Sequence, residues 1–188
     1  MGRWQPDARG RLKQAALELY LKRGFDQTTV AQIAERAGLT ERTFFRYFAD
    51  KREVLFAGST TLQETMVGAL NDTAASAVPL DQVAAAVHAA AAFLTDRDFA
   101  RRRQAIIAAN AELRERELIK MASLSAALAE ALRQRGITEP VASLTAESGV
   151  AIFKVAFERW IAANDDLAFS DYVQESVSGL ATVTTAGR

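Results

Sequence analysis

Residues 29–48 read TVAQIAERAGLTERTFFRYF, and this stretch decides the fold class. Thr29 followed by Gln32 matches the capping box that starts a helix, and apolar side chains follow at helical spacing. Gly38 can adopt the left-handed conformation that a tight turn needs, and Thr40 can cap the helix that comes next. The pattern predicts two short helices joined by a sharp turn, which is the helix-turn-helix arrangement.

The helix after Thr40 has two different faces. At ~100° per residue, one arc carries Glu41, Arg42, Phe45 and Arg46, and the opposite arc carries Thr43, Phe44, Tyr47 and Phe48. The second arc can close a small core, which leaves the ring of Phe45 facing outward. An outward ring adds nothing to stability, whereas in the major groove of DNA it can contact a thymine methyl, and a neighbouring Arg can bind guanine. The alternative is that Phe45 packs against the next helix.

Helices are also predicted on both sides of this motif. From Asp7 to Arg23 apolar residues recur at helical spacing, and Gly24 is a natural end for that helix. Asp50 and Glu53 form another capping box, which predicts that a fourth helix begins there.

The charge is unevenly distributed, although Lys+Arg and Asp+Glu are both 23. Residues 1–56 hold 11 basic and 7 acidic side chains, a net +4, and residues 57–188 hold 12 and 16, a net −4. This asymmetry suggests a basic module that meets a polyanion and an acidic module with another task. We therefore predict two domains, 1–56 and 57–188.

The composition excludes several classes of protein. With no cysteine there is no disulfide framework, thiol nucleophile or zinc knuckle, and a single histidine, His88, removes most other metal and acid–base sites. We expect no cofactor and no metal. The nearly apolar run from Val83 to Leu94 falls short of the ~20 residues of a membrane span, and the chain does not start with a secretory signal. These features predict a cytoplasmic protein that does not enter a membrane.

The N-terminal region resembles the DNA-binding domain of the TetR family of transcriptional regulators. The resemblance rests on the order and spacing of Gly24-Phe25, Thr28-Thr29-Val30, Ile33-Ala34, Ala37-Gly38-Leu39-Thr40, Thr43-Phe44-Phe45-Arg46-Tyr47-Phe48 and Lys51. It implies an all-α fold of about nine helices. An N-terminal three-helix helix-turn-helix domain would be linked by a long fourth helix to a C-terminal helical domain that binds an effector and dimerises.

The resemblance also implies which side chains contact DNA. Phosphates would be held by Thr28 or Thr29, Thr43, Tyr47 and Lys51, and bases would be read by Arg42, Phe45 and Arg46. Thr40 and Glu41, at the start of the recognition helix, complete the predicted set. Glu41 and Arg42 depart from the family pattern, in which a Lys or Gln and a small residue are frequent. Glu41 can accept from cytosine N4 or pair with a neighbouring Arg, so the target sequence stays open.

The C-terminal part resembles the family's effector domain in its layout of helices. Around Arg101-Arg102-Arg103 and Glu112-Leu113-Arg114 it resembles a subgroup whose domain is described as acyl-CoA-like. A pocket for a small apolar molecule needs large side chains and a few polar groups. The candidates are Met66, Leu70, Phe93, Ile107, Asn110, Met121, Phe153, Phe157 and Trp160. The alternative is that most of them are ordinary core residues, since several recur at the spacing of any buried helix.

Small residues in the last two predicted helices would allow two copies of the chain to approach closely. They are Ser148, Gly149, Ala151 and Ala156 in one helix, and Ser176, Ser178, Gly179 and Ala181 in the next. Isologous dimers are the commonest assembly, and a palindromic DNA site requires one. We therefore predict a homodimer.

The leading hypothesis is a repressor that binds a palindromic operator as a homodimer and is released by a small, largely apolar effector. An all-helical enzyme is the second hypothesis, with Glu112, Glu115 and Glu117 as its acids, but these alternate with arginines as surface charges do. A third hypothesis is a DNA-packaging or partner-binding module, which would not prefer one sequence. Activation instead of repression would use the same contacts.

Overall fold

The structure is a computed structural model that describes residues 7–185. These residues form nine α-helices and one short 3-10 helix, with no β-strand among them, which confirms the all-α prediction. The helices are α1 Ala8–Arg23, α2 Val30–Arg36, α3 Glu41–Tyr47, α4 Ser59–Asn71, α5 Pro79–Ala89, α6 Arg97–Ala109, α7 Ala111–Gln134, α8 Val141–Ala162 and α9 Phe169–Thr185, and the 3-10 helix is Ala90–Phe93.

The described residues form two compact units. The first contains the residues up to Gly58 together with Arg102–Glu117, and the second contains Ser59–Arg101 and the residues from Leu118 onward. The segment Arg102–Glu117, which we call the α6–α7 hairpin, joins the end of α6 to the start of α7. The predicted division at residue 56 assigned this hairpin to the C-terminal domain, whereas it packs with the first unit.

The caps of α2 and α3 are those expected from the sequence. The Thr29 hydroxyl accepts from the Gln32 amide at 3.3 Å, and the Gln32 side chain accepts from the Thr29 amide at 3.1 Å. The Thr40 hydroxyl accepts from the Thr43 amide at 3.2 Å. Between the two helices Gly38 has φ +65°, a conformation that an L side chain rarely adopts. These local signals fix the helix-turn-helix.

The prediction that a fourth helix begins at Asp50 is wrong. Asp50 does cap the chain there, because its carboxylate accepts from the amides of Arg52 at 2.8 Å and Glu53 at 3.1 Å. Residues 51–57, however, form turns with i to i+3 hydrogen bonds, and Gly58 follows with φ +101°. Since a left-handed residue cannot continue a right-handed helix, α4 begins only at Ser59.

The α6–α7 hairpin is tied to the turns at 51–57 inside the first unit. Its residues Ile107 and Leu113 are fully buried. Arg103 donates from Nε to the Leu55 carbonyl at 2.6 Å, and its guanidinium lies 5.2 Å from the centre of the Phe56 ring. Burial of these groups explains why the hairpin belongs to the first unit.

Two ion pairs join the α6–α7 hairpin to the turns at 51–57. Arg52 contacts Glu112 at 2.6 Å, and Arg116 contacts Glu53 at 2.6 Å. Glu112, a candidate acid of the enzyme hypothesis, is therefore one half of a surface ion pair. Such exposed pairs each contribute only about 0–1 kcal/mol, so they set the register of the hairpin more than its stability.

The core of the second unit is filled by side chains of α4, α5, α7, α8 and α9. Its largest members include Met66, Leu70, Phe153, Trp160 and Phe169, all of which are buried. Close packing of this kind is typical of protein interiors. Among the described helices, none is both long enough and apolar enough to span a bilayer.

Candidate nucleic-acid interface

The outward face of α3 carries an exposed aromatic ring between charged side chains. Phe45 is 55% exposed, so it does not pack against the next helix. The Phe45 ring makes a T-shaped contact with the fully buried Phe44 ring, with 5.5 Å between the ring centres. This contact supports the Phe45 ring from the core side and leaves it pointing outward. Glu41, Arg42 and Arg46 are exposed on the same helix. The predicted division of α3 into an inner and an outer arc holds at these positions.

Arg46 and Tyr47 form a pair at the end of this face. The guanidinium of Arg46 lies 5.0 Å from the centre of the Tyr47 ring and donates to the Tyr47 hydroxyl at 3.2 Å. Cation–π contacts at exposed sites contribute about 0.5–1 kcal/mol. The pair therefore presents a partly ordered guanidinium and a phenol together.

Three threonines lie near the starts of α2 and α3, where helix termini favour anions. Thr29 and Thr40 are exposed N-cap residues. The hydroxyls of Thr40 and Thr43 lie 3.0 Å apart and share a hydrogen bond. The Thr29 hydroxyl and one hydroxyl of the Thr40–Thr43 pair keep a hydrogen that can be donated to a phosphate oxygen, because each hydroxyl has a single donor site.

Thr28 is placed differently from the other threonines. It is fully buried, and its hydroxyl donates to the Gly24 carbonyl at 2.8 Å. A buried hydroxyl that already donates within the chain cannot reach a phosphate. Of the two alternatives given by the sequence, only Thr29 presents its side chain outward.

Lys51 is also engaged inside the first unit. Its ammonium donates to the carbonyl oxygens of Phe25 at 2.9 Å, Thr28 at 3.0 Å and Asp26 at 3.3 Å. An ammonium has three donors, and three carbonyls meet it here. In the same region the Tyr20 hydroxyl donates to the Lys51 carbonyl at 2.6 Å, and burial raises the pKa of this phenol. Lys51 thus organises the loop before α2 instead of projecting toward a ligand.

A salt bridge sets α2 against α1. Arg36 donates to Glu18 at 2.7 Å, and Gln14 also donates to this carboxylate at 3.1 Å. The hydrogen bond from Gln14 and that from Arg36 lower the pKa of Glu18. Both contacts are on the surface, so their main effect is on the orientation of the short helix α2.

The predicted effector residues do not surround one cavity. Ile107 and Asn110 belong to the α6–α7 hairpin in the first unit, where the Asn110 amide donates to the Ile106 carbonyl at 2.7 Å. In the second unit, Phe93 is 44% exposed and Met121 lines a cavity of about 180 Å³. The others pack in the core of that unit: Met66, Leu70, Phe153, Phe157 and Trp160. Sequence spacing alone could not separate these core positions from a pocket.

Two family models match the chain. The model described as bacterial regulatory proteins of the tetR family matches residues 12–57, which include α2, α3 and their turn. The model described as the MftR C-terminal domain matches residues 77–185, which is more than half of the chain.

Similar proteins extend this result. The HTH-type transcriptional regulator TcmR of Streptomyces glaucescens is 41% identical over 81 residues, which are 43% of this chain and only 36% of that protein. A transcriptional regulator from Pseudomonas aeruginosa PAO1 has a TM-score of 0.67 at 18% identity, over 98% of this chain and 94% of that one. FadR from Bacillus subtilis, solved with stearoyl-CoA, has a TM-score of 0.60 at 20% identity, over 91% and 96%. At these identities the solved structures share the fold.

Proposed function

Because the chain belongs to the TetR family of bacterial regulatory proteins, and is therefore a DNA-binding transcriptional regulator with a ligand-binding domain and not an enzyme, we propose that it is a repressor of one palindromic operator. A homodimer would bind this operator, and a small, largely apolar effector would release it. The observation that carries the proposal is the exposed Phe45, held by Phe44 between Arg42 and Arg46 on the outer face of α3.

In this proposal α3 enters the major groove of DNA. Arg42 and Phe45 read base edges, since Arg can bind guanine O6 and N7 and an aromatic ring can contact a thymine methyl. Glu41 either accepts from a cytosine or orients Arg42. Arg46, which the resemblance assigned to base reading, is instead proposed to bind phosphate together with Tyr47, because the two side chains are paired. With the exposed threonines near the starts of α2 and α3, this pair fixes the register on the duplex. Thr28 and Lys51 support the loop before α2.

The dimer is proposed to form through the exposed faces of α8 and α9. Leu144 and Val155 are 64% and 48% exposed, and Ala151 lies between them on the same face. Gly149 and Ala156, two of the small residues expected at this interface, are buried in the second unit instead. A Cβ on Gly149 would lie 3.2 Å from Val83, and Ala156 belongs to the core. An isologous contact through the exposed stripe would present two α3 helices to half-sites about 34–36 Å apart.

The effector is proposed to bind the second unit. The Bacillus subtilis FadR complex with stearoyl-CoA supports an effector with an apolar part, because that regulator shares this fold and the stearoyl chain of its ligand is apolar. The effector must bind the DNA-free conformation more tightly, and a coupling of ~1–3 kcal/mol is typical. A DNA partner also implies a cytoplasmic location in a bacterium.

The proposal is tested by selecting from a random duplex library with the purified full chain at ~150 mM salt, which weakens purely electrostatic binding. We expect an inverted repeat bound ~10³–10⁷ times more tightly than random duplex. Recovery of no motif would contradict sequence-specific binding and favour a packaging function. In transcription from a promoter that overlaps the selected site, the protein should reduce transcript yield, whereas an increase would make it an activator.

A further inference from the structure

Arg9, in the first turn of α1, lies at the C-terminal end of the recognition helix α3. Its guanidinium carbon is 5.8 Å from the centre of the Phe48 ring. Phe48 is the C-cap residue of α3 and is 4% exposed, so the core of the first unit fixes the ring on which Arg9 lies. A cation from α1 is therefore held beside the helix that we propose to enter the major groove.

The guanidinium of Arg9 has donors to spare. The side chain is exposed, and among the residues that the structure describes none accepts a hydrogen bond from Arg9 and no carboxylate pairs with it. The acid closest to it in the sequence, Asp7, caps α1 instead, because its Oδ1 accepts from the Gly10 amide at 2.7 Å. A guanidinium has five donors, no acceptor and a permanent charge, and the Phe48 ring supplies no oxygen to it. The ligand that suits it is an anion with several oxygens.

A second guanidinium lies against a ring at the same end of α3. Arg46 is 5.0 Å from the centre of the Tyr47 ring, and Tyr47 directly precedes Phe48. Arg46 has no carboxylate partner within the described residues either. The negative end of the α3 dipole favours cations at this position, but it leaves the donors of Arg9 without acceptors. Two cations without a counter-ion create a positive potential that a polyanion would neutralise.

We propose that Arg9, held by the ring of Phe48, binds a backbone phosphate of the operator, so that α1 contributes to the DNA interface together with α2 and α3. The inference rests on the proposed function, because that function places α3 against DNA. It adds a contact from outside the helix-turn-helix. The contact provides affinity without sequence preference, since every sequence presents the same phosphates.

The test is the salt dependence of DNA binding by the full chain. Fluorescence anisotropy on the selected operator and on random duplex, between about 50 and 200 mM salt, gives the slope of log K against log salt concentration. Loss of one phosphate contact should reduce the magnitude of this slope by about 0.9. We expect this reduction for Arg9→Gln, with a Kd about tenfold higher on both duplexes. Arg9→Lys keeps the charge and should keep the wild-type slope.

The matched control is Arg23→Gln, which makes the same change of net charge at the exposed other end of α1. Its slope should equal that of the wild type. A wild-type slope for Arg9→Gln, or the same reduction for Arg23→Gln, would overturn the inference. Weaker binding by Arg9→Gln with an unchanged slope and a lower Tm would also overturn it, because Arg9 would then only stabilise the end of α3.

A double variant tests the role of the ring. Phe48→Leu keeps an apolar side chain in the core and removes the aromatic face that attracts the guanidinium. We expect Phe48→Leu to weaken DNA binding less than Arg9→Gln does, and to add no further loss when the two are combined. Losses that add in the double variant would show that Phe48 does not act through Arg9, which would contradict the proposal.

The library selection described above separates this inference from the proposed function. If an inverted repeat is recovered and Arg9→Gln behaves like Arg23→Gln, the repressor proposal survives and the phosphate site is wrong. If no motif is recovered and Arg9→Gln still reduces the salt slope on random duplex, the phosphate site survives and the repressor proposal is wrong.

Discussion

The ammonium of Lys51 donates to the carbonyl oxygen of Phe25 at 2.9 Å and lies 4.4 Å from the centre of the Phe25 ring. One residue thus recognises both the backbone and the side chain of Phe25, whose ring is buried against Tyr20. The loop before α2 is closed by a residue that follows α3. A change at Lys51 therefore acts on the loop before α2, which is part of the unit that holds the recognition helix α3.

Lys51→Met should loosen this loop. Three carbonyl oxygens lose their charged donor, and a net contribution of about 1.5–3 kcal/mol is typical of a hydrogen bond to a charged group. We expect hydrogen exchange of the Thr28 amide, which donates to the Phe25 carbonyl, to accelerate at least about tenfold. Lys22→Met serves as the control. Unchanged exchange together with a weaker salt dependence of DNA binding would show that Lys51 is a phosphate ligand.

Arg42→Ala should reduce specificity more than overall affinity. Loss of a bidentate contact to guanine costs about 1–3 kcal/mol of discrimination at one base pair, and random duplex should lose little. Fluorescence anisotropy on the selected operator and on random duplex measures both values. Arg23→Ala, at the exposed end of α1, is the matched control. Equal losses on the two duplexes for Arg42→Ala would place this residue on the phosphates.

Asp50 should contribute a pH-dependent part of the stability of the first unit. Hydrogen bonds from Arg52 hold the pKa of this carboxyl below its usual value, and the capped backbone amides of Glu53 and Arg52 lower it further. Since the folded pKa is depressed, the stabilisation is complete above the unfolded pKa of about 4 and is lost as the pH falls through the folded value.

A ¹³C titration of the Asp50 carboxyl measures this effect directly. We expect a midpoint below about 4 in the wild-type protein and a higher midpoint in Arg52→Met, which lacks the guanidinium. A wild-type midpoint at or above about 4, or no change in Arg52→Met, would disagree with the contacts at this cap.

Charge placed on the outer stripe of α8 should break the dimer. Leu144→Glu and Val155→Glu each put a carboxylate on a face that the proposed twofold axis buries against its own copy, which leaves two unpaired charges. Sedimentation velocity at micromolar concentration should give dimers for the wild type and monomers for both variants. Leu21→Glu, at a 47% exposed position on α1, should stay dimeric. A monomeric wild type would contradict the dimer proposal.

The sequence predicts the parts of the fold that depend on neighbouring residues. The Thr29–Gln32 capping box, the Thr40 cap and the turn at Gly38 are all present, because each needs only contacts within a few residues. The outward position of Phe45 follows equally from the helical period. These features determine α2, α3 and the exposed face of α3.

Contacts with distant segments could not be predicted in the same way. Lys51 lies inside an ordinary helix-start signal, the Asp50–Glu53 box, and nothing in its neighbourhood indicates that carbonyls 23 to 26 residues earlier bind its ammonium. The buried state of Thr28 and the interruption by Gly58 likewise depend on tertiary packing. The same holds for Ile107 and Asn110, which the spacing placed in an effector pocket and the fold places in the first unit.

The chain passes from one compact unit to the other three times, after Gly58, Arg101 and Glu117. A chimaera that exchanged only residues 1–58 with a relative would carry every proposed DNA contact but leave the α6–α7 hairpin behind. Leu113 is fully buried in that hairpin, and Arg116 pairs with Glu53, so the grafted segment would meet a foreign surface. Recombination with a relative can therefore transfer the DNA specificity only when the two separate segments 1–58 and 102–117 are exchanged together.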